Sequence, residues 1–234
     1  MGEMVEFPCN GEGATGYLAL PASGRGPGVV VIQEWWGIVS HIKNVCERFA
    51  EAGFVALAPD LYHGKTTTEP DEAGKLIMEL QLDRAGREIA GAGRWLAASE
   101  RTAGDHVGIV GFCAGGALAL YAATLSEVFT AAVAFYPGLA FVERAQPDFT
   151  AARGSVLLHW AEHDHAYDRE SSAQLEERLR AAGLDVLGHW YDDSGHAFFN
   201  DDRPEVYKPE QARLAWDRTL AFFRKHLAAT PAPV

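Results

Sequence analysis

Short apolar runs bounded by Gly, Pro and Asp alternate along this chain with longer stretches whose apolar positions recur every three to four residues. The runs at residues 28–32, 54–58, 107–110, 131–136, 155–160 and 186–191 read as buried strands, and 4–7 and 15–20 read as an antiparallel edge. Helices are predicted over 41–52, 70–98, 117–123, 171–182 and 205–227. In the first of these, Ile42, Val45, Cys46 and Phe49 share one face, and Gly53 supplies the stop. Ala181-Ala182-Gly183 ends a later helix in the same way. Strands alternating with helices imply an α/β fold, a mostly parallel sheet with helices on both faces. With no repeat, linker or compositional break, residues 1–234 read as one domain, and the Pro/Ala-rich 229–234 as a frayed tail.

The run from Val107 to Val110 breaks into Gly111-Phe112-Cys113-Ala114-Gly115-Gly116 and then into the helix-forming Ala117-Leu118-Ala119-Leu120. Strand, Gly-x-Cys-x-Gly turn and helix together make a nucleophile elbow with cysteine as nucleophile. Such a turn holds its central residue in a strained conformation, and small residues must flank it because side chains there would strike neighbouring elements. The Cys113 sulfur then stands over a helix N-terminus, whose partial positive charge favours thiolate.

A thiol nucleophile in a hydrolase needs a base, a carboxylate to orient that base, and donors for the tetrahedral oxyanion. The strand at 155–160 runs into Ala161-Glu162-His163-Asp164-His165, which places Asp164 past a strand's carboxyl end, where open α/β sheets gather their site residues. A later strand ends in Asp193-Ser194-Gly195-His196. The order Cys113, Asp164, His196 is the nucleophile–acid–histidine order of the α/β-hydrolase fold.

Charge and composition narrow the partners. A formal net charge of −12 argues against nucleic acid or an anionic membrane as partner. No apolar stretch reaches membrane-spanning length, and the first residues lack the basic and apolar regions of a secretory signal, so a cytoplasmic location is expected. The three cysteines, Cys9, Cys46 and Cys113, form no Cys-x-x-Cys pair, which argues against a disulfide framework or a structural zinc site. Neither cofactor nor metal is expected, and the sequence leaves the oligomeric state open.

At this point the chain resembles the dienelactone hydrolase family. Besides the elbow, the resemblance rests on Gln33-Glu34-Trp35-Trp36-Gly37, Ala58-Pro59-Asp60-Leu61-Tyr62, Glu162-His163-Asp164 and Ser194-Gly195-His196-Ala197-Phe198. It implies an α/β-hydrolase fold, a Cys113–Asp164–His196 triad, and an oxyanion hole made by the Trp35 and Ala114 N–H groups. It also implies an acidic side chain beside the thiol, Glu34, which disfavours thiolate or accepts a hydrogen bond from the neutral thiol. The expected activity is hydrolysis of a small ester or lactone through a thioester. Where the family resembles itself in holding a substrate carboxylate with an arginine four residues past the histidine, this chain has Asn200. Arg203 and Arg84 are the substitute candidates, and Trp36, Tyr62, Phe198 and Phe199 the candidate aromatic pocket walls.

Three alternatives stay open at this level. A cysteine amidotransferase shares the elbow, but usually places an acid two residues after the histidine, where this chain has Phe198. Metal catalysis could draw on His159, His163, Asp164 and His165; if a strand runs through them, His163 and His165 share one face and Asp164 points to the other. A thiol sensor on the same fold would keep a reactive Cys113 and turn over no ester.

Overall fold

The computed structural model describes residues 2–227, so the tail expected at 229–234 lies outside the described residues. The strands are β1 (Glu3–Cys9), β2 (Glu12–Ala19), β3 (Gly26–Ile32), β4 (Val55–Pro59), β5 (Thr102–Phe112), β6 (Phe129–Phe135), β7 (Ser155–His163) and β8 (Asp185–Gly195). The helices are α1 (Ser40–Glu51), α2 (Pro70–Glu79), α3 (Leu82–Ala97), α4 (Ala114–Ala123), α5 (Leu139–Ala145), α6 (Arg169–Ala181) and α7 (Pro209–His226). One eight-stranded sheet has the order β1-β2-β4-β3-β5-β6-β7-β8. The expected antiparallel edge is present, with β1 on β2 and β2 on β4, and β4, β3 and β5 to β8 run parallel. This is the α/β-hydrolase architecture.

The two faces of β5 show how the layers form. A Cβ on Gly108 would meet the Phe223 ring of α7 at 2.6 Å, and a Cβ on Gly111 would meet the Gly115 carbonyl of α4 at 2.0 Å. Positions three apart on a strand point to opposite faces, so α7 and α4 cover opposite sides of the sheet. Val29 to Ile32, Val55 to Ala58 and Val107 are wholly buried, as strands covered on both faces must be. Phe49 of α1 packs 5.9 Å from Phe223, which puts α1 and α7 in one layer.

The helix predicted across 70–98 is two helices. Leu80 and Gln81 have extended backbone (ψ 120° and 103°), which ends α2 and redirects the chain into α3. The Arg144 guanidinium donates to the carbonyls of Met78 and Leu80, satisfying acceptors that α2 leaves without helical partners. The last helix begins at Pro209 instead of 205, because residues 201–207 turn back on themselves through Arg203 N–H to Asn200 O and Tyr207 N–H to Arg203 O.

The sheet order fixes where a site can form. From β3 the chain winds outward to β4 and then returns across β3 to β5, so the order reverses between β3 and β5. Crevices at the carboxyl ends of strands flanking such a reversal are the usual binding position of open α/β sheets. The segments after β3, β5, β7 and β8 carry Glu34–Trp36, Cys113, Asp164 and His196 to that edge.

Candidate active site

Cys113 sits between β5 and α4 with φ 57° and ψ −123°. A non-glycine residue at such an angle stores backbone strain, about 1–3 kcal/mol, and persists only where its surroundings hold it. Here the Cys113 N–H donates to Phe135 O (3.1 Å), and the Cys113 carbonyl accepts from Gly116 and Gly138 (3.0 and 3.1 Å). The flanking glycines are required by space: a Cβ on Gly115 would lie 2.2 Å from the Gln33 carbonyl. The tight turn therefore locks α4 against both β5 and the loop after β3.

His196 reaches the same place from β8. The pairing of β7 with β8 skips register between Ala161 and His163, and Asp193 adopts φ 53°, so the end of β8 bulges before delivering His196. Its Nδ1 lies 2.8 Å from Asp164 Oδ2, and the Asp164 carboxylate is fully buried. The Ala166 N–H donates to Asp164 Oδ1 (2.8 Å), and the Tyr167 hydroxyl bonds the carboxylate while accepting the Ala161 N–H at 2.9 Å. Burial opposes the charged carboxylate, but these bonds outweigh it and hold the Asp164 pKa below its ordinary value. Burial likewise opposes the imidazolium of His196; hydrogen bonds with Asp164 and with the Cys113 sulfur outweigh it and push the His196 pKa up to about 10. Sulfur, imidazole and carboxylate thus form one electrostatically coupled chain.

Glu34 follows β3 and is nearly inaccessible (3% exposed). Its Oε2 accepts from Asn200 Nδ2 at 2.6 Å and its Oε1 from the Tyr136 hydroxyl at 3.4 Å. Tyr136 itself stands at φ 36°, with its ring edge-on to His196 at 5.1 Å. Burial, Glu34 and Cys113 together push its phenol pKa well up. Asn200, noticed in the sequence only as a missing arginine, is thus the anchor of the Glu34 carboxylate. No local pattern connects two residues 166 positions apart.

Cys113, His196, Glu34, Trp35, Trp36 and Arg203 line one cleft of about 460 Å³. Ala114, buried, opens α4 directly behind the thiol. Trp36 packs edge-to-face on Trp35 at 4.8 Å, and its carbonyl accepts the Thr67 N–H, tying the loop after β3 to the loop after β4.

Of the remaining expected wall residues, Phe198, Phe199 and Arg84 fall elsewhere, and Tyr62 lines a neighbouring pocket within electrostatic reach of Cys113. Phe198 and Phe199 are fully buried: the turn closed by Asn200 N–H to Ala197 O drops them into the core, Phe198 against Tyr191 and Phe199 stacked on Phe112. Arg84 does not reach the cleft, because one turn of α3 pairs it with Glu88 at 2.8 Å and it lines a separate pocket with Tyr62 and Leu76. Tyr62 is buried with its hydroxyl unpartnered; burial, with a contribution from Cys113, raises its pKa. Its loop is shaped by Asp60, which accepts the N–H groups of Tyr62 and Gly64.

The histidine-rich segment does not converge. His159 is enclosed, with its ring nitrogens on Tyr191 Oη (2.7 Å) and Thr219 Oγ1 (3.0 Å), and burial holds its pKa well below the ordinary value. His163 and His165 face solvent, while Asp164 turns inward to His196. Among the described residues the grouping with metal-ligand character is Glu162, His163 and Asp193, all exposed. No helix among the described residues is long and apolar enough to cross a membrane.

A strained elbow cysteine with a histidine and a buried aspartate delivered from later strand ends defines the chain as a hydrolase of the α/β-hydrolase fold. The chain belongs to the dienelactone hydrolase family, whose model matches residues 14–227. It is 38% identical to the protein named usf of Aquifex pyrophilus, over 97% of this chain and all of that one. An Aquifex aeolicus protein with the provisional name carboxymethylenebutenolidase is 36% identical over the same shares. A crystal structure from Klebsiella pneumoniae, provisionally named a dienelactone hydrolase, superposes with a TM-score of 0.83 at 27% identity, covering 96% of this chain and 98% of that one. The chain is accordingly an enzyme of the ester- and lactone-hydrolysing class.

Proposed function

We propose that this enzyme hydrolyses small esters or lactones with an uncharged, apolar body through a thioester on Cys113. The observation that carries the reading is the coupled chain itself: the Cys113 sulfur bears on His196, and His196 Nδ1 is 2.8 Å from buried Asp164. In this mechanism His196 carries the proton of the Cys113 thiol as Sγ attacks the carbonyl carbon. The N–H groups of Trp35 and Ala114 receive the tetrahedral oxyanion, the latter with the dipole of α4 behind it. Collapse expels the alkoxide, which takes the proton from His196, and leaves the acyl group on sulfur. Water, deprotonated by His196, then attacks the thioester, and a second collapse releases acid and restores the thiol. Asp164 keeps the imidazole in the orientation and tautomer that these transfers need.

Glu34, held by Asn200 and Tyr136, sets a carboxyl group on the wall of the cleft that Cys113 also lines. Asn200 gives its amide to Glu34, and Arg203 pairs with Glu205 at 2.8 Å, so a substrate carboxylate has to compete with Glu205 and gains less here than from an unpaired arginine clamp. The test is a panel of aryl esters and lactones, each with and without a carboxylate, on the unaltered protein and Cys113→Ala. Turnover should fall by about 10³-fold or more in the variant with its circular dichroism unchanged. Retained turnover would refute the nucleophile.

A further inference from the structure

The cleft holding Cys113 shares a wall with a second cavity. Trp36, Arg203 and Glu205 line both, and the second cavity, about 290 Å³, extends past Val39, His41, Thr68 and Asn200. The shared wall is built unlike the core around it. The Arg203 guanidinium lies 5.8 Å from the Trp36 ring centroid and is tied to Glu205 through Nε (2.9 Å) and Nη2 (2.8 Å). Both partners are solvent-exposed in part, 36% and 60% for their side chains, and exposed ion pairs hold side chains weakly. A small displacement of this pair would join the two spaces.

The second cavity makes little demand for polar or charged groups. Ser40 already donates to Asp202, Thr67 Oγ1 to Glu72 (2.6 Å), and Asn200 Nδ2 to Glu34 (2.6 Å). His41 Nδ1 is 3.0 Å from Asp201, which leaves its buried Nε2 as a polar atom without a partner. The carboxylates of Asp202 and Glu205 on the wall disfavour an anion. What the space offers an apolar group is the indole of Trp36 and the Val39 side chain, set among polar groups that are mostly paired already.

We propose that this cavity is a substrate subsite that takes the uncharged alkyl or aryl limb of an ester whose carbonyl lies at Cys113, with the Arg203–Glu205 pair as the gate between them. The subsite rests on the reading of Cys113 as nucleophile. It predicts that the enzyme accepts one long limb, and that chain-length preference is set on the cavity side of Trp36.

Two series test it, p-nitrophenyl esters from acetate to octanoate and ethyl to octyl acetates, with Thr68→Trp to fill the cavity and Arg203→Ala to open the wall. In one series the long-to-short ratio of kcat/KM should fall about tenfold or more in Thr68→Trp and rise severalfold in Arg203→Ala. Ratios within about twofold of the unaltered enzyme in both series and both variants overturn the subsite. Hydrolysis of p-nitrophenyl acetate by the unaltered protein reports on the nucleophile reading alone. Should that turnover be absent, the relative rates at which hexyl and methyl methanethiosulfonate modify Cys113 read the subsite without catalysis. The hexyl-to-methyl ratio should shift in the same directions in the two variants, and an unshifted ratio overturns the subsite.

Discussion

Replacing Asp164 with asparagine keeps the shape of the side chain and removes its charge, which makes it a sharp test of the coupling between carboxylate and imidazole. The His196 pKa stands at about 10 against an ordinary 6.5, and with each pKa unit worth about 1.4 kcal/mol the favourable partners together outweigh the burial penalty by roughly 5 kcal/mol. Asp164 supplies the largest of the favourable contributions, ahead of Cys113. In Asp164→Asn the burial cost persists while that contribution goes, so the His196 pKa should fall. The Asn amide can also present N–H toward Nδ1 and favour the wrong tautomer. Loss of kcat/KM on an aryl acetate should be about 10³- to 10⁴-fold, the scale seen when a triad carboxylate is neutralised.

Stability should follow the same coupling. A histidine whose folded pKa is raised contributes stability that is whole below its unfolded pKa near 6.5 and is lost as pH rises toward about 10. Urea unfolding from pH 6 to pH 10 should therefore show a decline in the unaltered protein that is flattened in Asp164→Asn. The depressed pKa of Asp164 acts oppositely: its contribution is present above the ordinary carboxylate pKa and disappears as pH falls through the lowered value. A variant within tenfold of full activity, with an unchanged pH dependence of stability, would show that the 2.8 Å contact carries neither function nor coupling.

Glu34→Gln should speed alkylation of Cys113 by iodoacetamide near neutral pH, since an acidic group has gone from the cleft wall; an unchanged or slower rate would make Glu34 structural or a proton acceptor. Tyr167→Phe removes the hydroxyl that joins the Ala161 N–H to Asp164, so kcat should fall about tenfold with KM little changed, and the acid limb of the pH–rate profile should move to higher pH. A KM effect alone would place Tyr167 outside this role. Gly115→Ala drives a Cβ to 2.2 Å from the Gln33 carbonyl and should destabilise the enzyme by about 3 kcal/mol or more in urea titration, because backbone cannot yield as a side chain can.

The elbow was legible because every local signal agreed there: buried strand, small–Cys–small turn and helix former succeed one another within Val107 to Leu120. The order of Asp164 and His196 was legible for a related reason, since each follows a strand with a clear apolar run. The break between α2 and α3 was not, because amphipathic spacing continues through Leu80 and Gln81, and the backbone angles and the Arg144 bonds that end α2 come from another element. Short α5 gave too few turns for a period to register. Phe198 and Phe199 looked like pocket walls because they follow His196, yet the tight turn at Ala197 buries them instead. The Asn200–Glu34 bond joins separate strand ends and the Tyr167 bridge is a side-chain contact within β7 and the loop after it, and periodicity encodes neither.

The central claim is that acyl transfer passes through the Cys113 sulfur, and intact-protein and peptide mass spectrometry after rapid quench of the enzyme with excess p-nitrophenyl acetate tests it directly. The account predicts an acetyl group on the peptide containing Cys113, labile to hydroxylamine, formed and lost fast enough to support turnover, and absent from Cys113→Ala. Steady hydrolysis with Cys113 unmodified, or an acetyl group that accumulates on another residue at a competent rate, would contradict it.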